Sequence, residues 1–349
     1  MLVMPARRVE AQSVSSIQPR SCQPGQTTKL VVQGKAFDDS LRFLTSSRDI
    51  QTRVQSIEPT KAVIELTLPA DTLLGPFGLS VAGRDGPIMQ TTLWADDLQV
   101  VQDNGKNHSQ QTAQAIALLC SVEGRSEAGK SDFYKISVAQ DQRVAFEILT
   151  QPLQSAMDPV LRLLDRDGET LQLEDEGAVG PDPRFSHHFA AAGDYWIEVH
   201  DNRHTAGGVY QLRVGDFPIV SHAYPLVLEA GKPVATEVID GVGEPLPMSG
   251  VSRPADVSEH VSVSAKFAAG KSSAWVPVAL SPYPQTSEEQ ATQPLTAPIG
   301  VSGRLTQAGE VDSYHLRGNK DQRVRITSRT RSLGCPTLLK MQLFEASGA

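Results

Sequence analysis

Four histidines, His187, His188, His200 and His204, are the side chains of this sequence best suited to holding a metal ion or relaying a proton. His200 and His204 have an H-x-x-x-H spacing, which on a helix places both imidazoles on one face, as a zinc site requires. Here the local sequence is EVHDNRHTAGG, a strand end followed by a Gly-rich turn. On an extended strand residues four apart share a face but lie about 13 Å from one another, too far to share one zinc ion. Surface or core histidines are therefore expected.

Acidic groups are the second source of chemistry. Asp165, Asp167 and Gly168, followed by Glu174, Asp175 and Glu176, offer the oxygens a hard cation takes. The glycine comes too early for an EF-hand loop, and the Asp167-Gly168 pair between two strand patterns reads as a hairpin turn. Asp103, Asn104 and Asn107 form a separate polar cluster whose residues alone read as a polar linker. Aromatic residues make up only 5% of the chain, and Trp94, Trp196 and Trp275 fall in different regions, so no stacked aromatic platform is expected. In the strand Tyr195 to Val199, alternation sets Tyr195, Ile197 and Val199 on one face and Trp196 and Glu198 on the other. Trp196 is the candidate ligand contact, with cover by a loop or neighbouring domain as the alternative. No G-x-S-x-G elbow, H-E-x-x-H helix, phosphate-binding Walker loop or strand-linked G-x-G-x-x-G is present, so the chain is expected to be noncatalytic.

The elements that position these residues are strands. Apolar residues alternate from Thr28 through Leu30 and Val32, and again through Ala62, Ile64, Leu66 and Leu68. The same pattern returns at Phe133 to Val138, Arg143 to Leu149, Val160 to Leu164, Tyr195 to Val199 and Tyr210 to Val214. Each run is short and bounded by Gly, Asp or Pro, which predicts β-sandwiches. With 349 residues, several small cores are expected. A net charge of -8, with its 32 basic residues scattered, disfavours nucleic acid as a partner. No run of about 18 apolar residues predicts a membrane helix. Cys22, Cys120 and Cys335 are too dispersed for a disulfide framework or a C-x-x-C metal pair.

An internal repeat gives the most specific signal. Asp141, Gln142, Arg143 and Val144 recur identically as Asp321, Gln322, Arg323 and Val324, an offset of 180 residues. Val122, Gly124 and Arg125 match Val301, Gly303 and Arg304, and Asp132 and Tyr134 match Asp312 and Tyr314. A weaker repeat relates Pro19, Gly25 and Gly34 to Pro225, Gly231 and Gly241. The unit is a pair of domains, used twice.

Residues 103-217 resemble the bacterial pre-peptidase C-terminal domain, a jelly-roll-like β-sandwich appended to secreted peptidases and other surface proteins. The resemblance rests on VEGRSEAGKSDFY with Gly124, Asp132, Phe133 and Tyr134, on SAMDPVLRLLDRDG from Ser155 to Gly168, on AAGDYWIEVHD from Ala191 to Asp201, and on the closing GVYQLRV. Residues 13-101 and 218-287 resemble immunoglobulin-like domains of the IPT or TIG kind, with a PG-x-T signature at Gly25. Residues 288-349 resemble the first half of a second pre-peptidase domain, with SLGCPTLLKMQLFEASG in place of the Asp-Pro hairpin.

The expected architecture is all-β: tandem immunoglobulin-like and jelly-roll-like sandwiches, the last one incomplete, within a larger protein to which the chain is covalently linked. The resemblance implies an extracellular, periplasmic or cell-surface location and an extracellular polymer or protein as partner. Related collagen-binding sandwiches of bacterial collagenases hold calcium near the corresponding linker, so the resemblance also implies calcium at Asp103, Asn104 and Asn107. Residues 1-12 read either as a tail or as the remnant of a signal peptide, because Val9, Glu10 and Ala11 satisfy the small-residue rule for cleavage before Gln12.

Overall fold

The structure, a computed structural model, describes residues 10–177, 180–232, 236–241, 245–246, 260–265 and 275–345. The leader-like residues 1–9 lie outside that set. The described chain is nearly all β, with tandem sandwich modules and no α-helix among the described residues. It divides into two compact units, residues 1–175 with 181–216, and residues 176–180 with 217–349.

In the first unit, one sheet orders the strands Ser13–Gln18, Thr27–Lys35, Lys61–Thr67 and Gln51–Glu58. It faces a second sheet of Ser21–Cys22, Gly86–Ala95, Gly75–Gly83 and Arg42–Thr45. Leu30, Val32, Ile64 and Leu66, the alternating residues of the sequence pattern, meet Leu79, Val81 and Leu93 in one core. Alternation decides the fold here because only one side of each strand finds apolar cover.

A second sandwich in the same unit pairs two five-stranded sheets. One orders Gln114–Ala115, Asp132–Val138, Gly193–Asp201, Pro159–Leu164 and Thr170–Glu174. The other orders Arg184–Phe189, Gln142–Leu149, Val209–Gly215, Cys120–Arg125 and Gln99–Gln102. Tyr134, Phe146, Leu161, Leu163, Ile197 and Tyr210 are buried together between them, and Tyr195 packs against their edge. Gly124 is a glycine for a concrete reason: a Cβ there would lie 2.1 Å from Cζ of Tyr210, whose ring covers it. The strand Gln99–Gln102 departs from the sequence reading, which placed residues up to 101 in the first module. It pairs in parallel with Cys120–Arg125, so it completes the edge of the second sandwich.

The strand Val209–Gly215 sends Tyr210, Leu212 and Val214 into its own core. Gln211 and Arg213 point the other way and are buried as well, because the first sandwich covers them. The Arg213 guanidinium donates from Nε to Asp96 Oδ2 at 2.9 Å, from Nη2 to Asp96 Oδ1 at 3.2 Å and from Nη1 to Glu147 Oε2 at 3.4 Å. Gln211 donates from Nε2 to Ser21 Oγ at 3.1 Å and to Asp96 Oδ2 at 3.4 Å. Burial opposes the charge on Arg213, and the neighbouring Asp96 and Glu147 outweigh it, so its pKa is raised.

In the second unit, Val220–Tyr224, Glu237–Asp240 and Pro245–Leu246 form one small sheet. Val227–Glu229, Val276–Ser281 and His260–Val263 form another. Residues 285–317 contribute only two-stranded pairs. Ile326 and Leu343 are 52% and 80% exposed.

The repeats recur as local geometry. Asp141 and Asp321 both adopt positive φ, at 59° and 66°. Gln142 Oε1 then accepts from Ala139 N at 2.8 Å, and Gln322 Oε1 accepts from Asn319 N at 2.9 Å. Gly25 and Gly231 match likewise, at φ 75° and 77°.

Replacing Asp96 with alanine leaves Arg213 buried beside a void. A loss of about 3 to 5 kcal/mol in a urea melt is expected. A loss under about 1 kcal/mol would mean that water reaches the guanidinium.

Candidate functional site

The segment from Asp103 to Gln114 leads into the second sandwich. Phe133 N donates to the Asn107 carbonyl at 2.7 Å, and Ile116 N to the Lys135 carbonyl at 2.9 Å, so the segment is tied along the strand Asp132–Val138. Ser109 caps the short turn Gln110–Thr112, with reciprocal bonds between Ser109 and Thr112.

Beneath this segment two carboxyls are joined through two phenols. Tyr134 Oη donates to Asp103 Oδ1 at 3.0 Å, Tyr134 and Tyr210 hydroxyls lie 2.6 Å apart, and Tyr210 Oη lies 2.7 Å from Asp132 Oδ2. Three oxygen–oxygen contacts need three hydrogens, and two phenols supply two. Tyr210 donates to Asp132 and Tyr134 to Asp103, so the contact between the two phenols is the one short of a hydrogen while both carboxyls are ionised. Burial, together with the charges of Asp103 and Glu127, lifts the Asp132 carboxyl to about 6. The Tyr210 bond and His108, whose Nδ1 is 3.5 Å from Asp132 Oδ1, act in the opposite direction.

The expected calcium ligands Asp103, Asn104 and Asn107 are partly engaged within the protein. Asp103 Oδ2 accepts from Gly105 N at 3.1 Å and Asn104 Oδ1 from Lys106 N at 2.8 Å, both as turn-forming bonds. Asn107 is fully buried, and its Nδ2 donates to the Phe133 carbonyl at 3.2 Å while its Oδ1 has no partner. Among the described residues, no three His, Cys, Asp or Glu side chains are grouped to hold a metal.

Trp196 lies across the same segment. It is half-buried, and its indole N–H donates to the Gln110 carbonyl at 3.0 Å, so its polar handle is used inside the protein. Behind it, Glu198 is buried, receives Ser131 Oγ at 2.8 Å and pairs with Arg162 through Nε at 2.7 Å.

His200 and His204 differ from the strand-based expectation. The strand ends at Asp201, and His204 sits in a left-handed turn at φ 53°, which folds its ring back onto that of His200. The rings stack with centroids 5.6 Å apart and planes 10° apart. Burial pushes the His200 imidazole down. His187 instead meets Phe189 edge-on at 4.7 Å. The Asp165 cluster forms the expected turn: Asp165 Oδ1 accepts from Asp167 N and Glu169 N, each at 2.9 Å, and Gly168 adopts φ 85°. Cys22 and Cys120 are buried free thiols, each pushed to about 12 by burial.

The fold and this site define a tandem β-sandwich module array. No family model and no curated protein sequence matches the chain. Among solved structures, it is similar to the pre-peptidase C-terminal domain of a collagenase from Bacillus anthracis. That likeness is 19% identical and covers 29% of this chain and 93% of that one, with a TM-score of 0.25. It is similar to a filamin domain of Lin-41, 16% identical over 24% of this chain and 91% of that one, with a TM-score of 0.20. It is also similar to carbohydrate-binding modules of the β-sandwich superfamily, 9% identical over 59% and 97%, with a TM-score of 0.20.

The donor count generates a pH dependence. Because the folded carboxyl of Asp132 titrates above the ordinary aspartate range, its stabilising contribution is present at about pH 4 and is lost as pH rises through about 6. Asp132→Asn supplies a permanent donor to Tyr210, so its melting temperature should change less than the parent's between pH 4 and 7. Parallel curves for the two proteins would place the missing hydrogen elsewhere.

Proposed function

We propose that the chain is a noncatalytic extracellular module array that binds a surface polymer or protein, or holds the catalytic region of a larger secreted protein in position. The buried junction of Arg213 with Asp96 and Glu147 carries this reading. It fixes two sandwiches to each other, so surfaces on both are presented as one body, and repetition of the module pair adds avidity. A peptidase would instead need a nucleophile, a base and an orienting group in mutual reach. Tyr134, Tyr210 and Asp132 are spent on one another, and Glu198 is bound to Ser131.

The purified chain should be retained on at least one of insoluble collagen, cellulose, chitin or peptidoglycan, and should not turn over casein. Failure to bind all four, or casein turnover abolished by a single substitution in this chain, overturns the reading.

Calcium at the lead-in segment belongs to the same proposal. The partnerless Asn107 Oδ1 and the carboxyl of Asp103 are the oxygens that suit a hard cation there. Millimolar calcium should raise the melting temperature of the intact chain, and Asp103→Asn should remove that response. An unchanged melting temperature on adding calcium or chelator counts against the site.

A further inference from the structure

Within the first unit, a groove runs beside the ends of the strands Cys120–Arg125 and Val209–Gly215. One stretch of it is lined by Arg20, Arg125, Gln154, Ser155 and Thr205, together with small or aliphatic residues. The two arginines are the only charged side chains of that stretch, and the adjoining stretch, which they also line, adds Asp103 and Glu123. Arg20 is half-buried and Arg125 exposed. Among the described residues, neither guanidinium has a carboxylate within ion-pair distance. Glu123 acts on Arg20 through space, but its carboxylate is held by the backbone N–H groups of Arg20 and Ser21 and by the Gln102 amide at 2.9 Å. Burial, with the charge of Arg125 added to it, works against the charge on Arg20.

The internal repeat supplies a control. Arg304 is the counterpart of Arg125, and it pairs with Glu237 while its guanidinium carbon lies 3.8 Å from the centroid of the Tyr224 ring. One copy of the module therefore satisfies this arginine from within, and the other leaves it open to the groove.

Two guanidinium groups on one groove, neither in an ion pair, suit a carboxylate or sulfate, which a guanidinium binds through two parallel hydrogen bonds. No aromatic side chain lines this stretch, so it lacks the stacking platform a neutral sugar uses and the anchor pocket a peptide side chain uses. Gln154 and Ser155 add an amide and a hydroxyl suited to a hydroxyl-rich ligand, while the Thr205 hydroxyl donates to Asp201 at 2.6 Å. We propose that this groove binds an acidic saccharide, with a uronate or sulfate group of an extracellular polysaccharide seated between Arg20 and Arg125. The proposal names a ligand class for the binding array above and rests on that reading.

Affinity electrophoresis of the intact chain tests it, with polygalacturonate as the carboxylate source, heparin as the sulfate source, xyloglucan as a neutral polymer and polyglutamate as an acidic peptide. Retardation by polygalacturonate or heparin is expected, weaker at higher salt, and the stronger of the two identifies the anion. Arg20→Gln with Arg125→Gln should weaken it at least tenfold with the melting temperature unchanged. Arg125→Gln alone, at an exposed position, should give a partial loss and guards against misfolding of the double variant. Full binding by the double variant, equal retardation by polyglutamate, or no retardation by either acidic polysaccharide overturns the assignment. Retardation by xyloglucan alone overturns it too, yet leaves the array a polymer binder.

Discussion

Arg213 sets the terms for the first unit. A guanidinium removed from water must be matched by acceptors of fixed geometry, and here Asp96 comes from the first sandwich and Glu147 from the second. Asp96 sits just past the strand Gly86–Ala95, and its Oδ1 also accepts from Leu98 N at 3.1 Å. The same carboxylate thereby anchors the connection between the modules. Gln23 adds a bond from its side chain to the Leu98 carbonyl at 2.7 Å. A hydrophobic contact tolerates sliding, whereas this polar contact has one register.

The junction also explains how far the sequence could be read. Alternation revealed Tyr210, Leu212 and Val214 as the inner face of their strand, because period-two patterning is a local property. It assigned Gln211 and Arg213 no more than the outer face, which normally means solvent. That they are buried depends on a partner more than a hundred residues away in sequence, and no local pattern carries that information. The same limit applies to Gln99–Gln102, whose sheet is set by a partner strand beyond its own segment.

At the candidate site, local signals fared unevenly for physical reasons. The Asp165 turn was legible because its hydrogen bonds close within five residues. Trp196 was placed on the correct face, away from Ile197, but its cover by Gln110 comes from a segment far upstream. The stacking of His200 on His204 escaped a strand-spacing estimate because the strand stops at Asp201 and the left-handed turn at His204 folds one ring onto the other. Strand alternation does not reveal the hydroxyl contact between Tyr134 and Tyr210. Their hydroxyls, aimed at each other inside an apolar cluster, give the core a titratable centre. The Asp141 and Asp321 turns recur because side-chain bonds to nearby backbone need no distant strand to hold them.

The parallel strand Gln99–Gln102 has a mechanical meaning. Gln99 lies opposite Cys120, and Cys120 opposite Val214, so the chain enters and leaves the second sandwich at the same end of one sheet, two strand spacings or about 10 Å apart. A pull along the polypeptide is directed across these strands. Their hydrogen bonds then open one after another from that end, as a zip does, instead of resisting together in shear. Under tension the sheet of the second sandwich therefore peels from the end that lies beside Arg213.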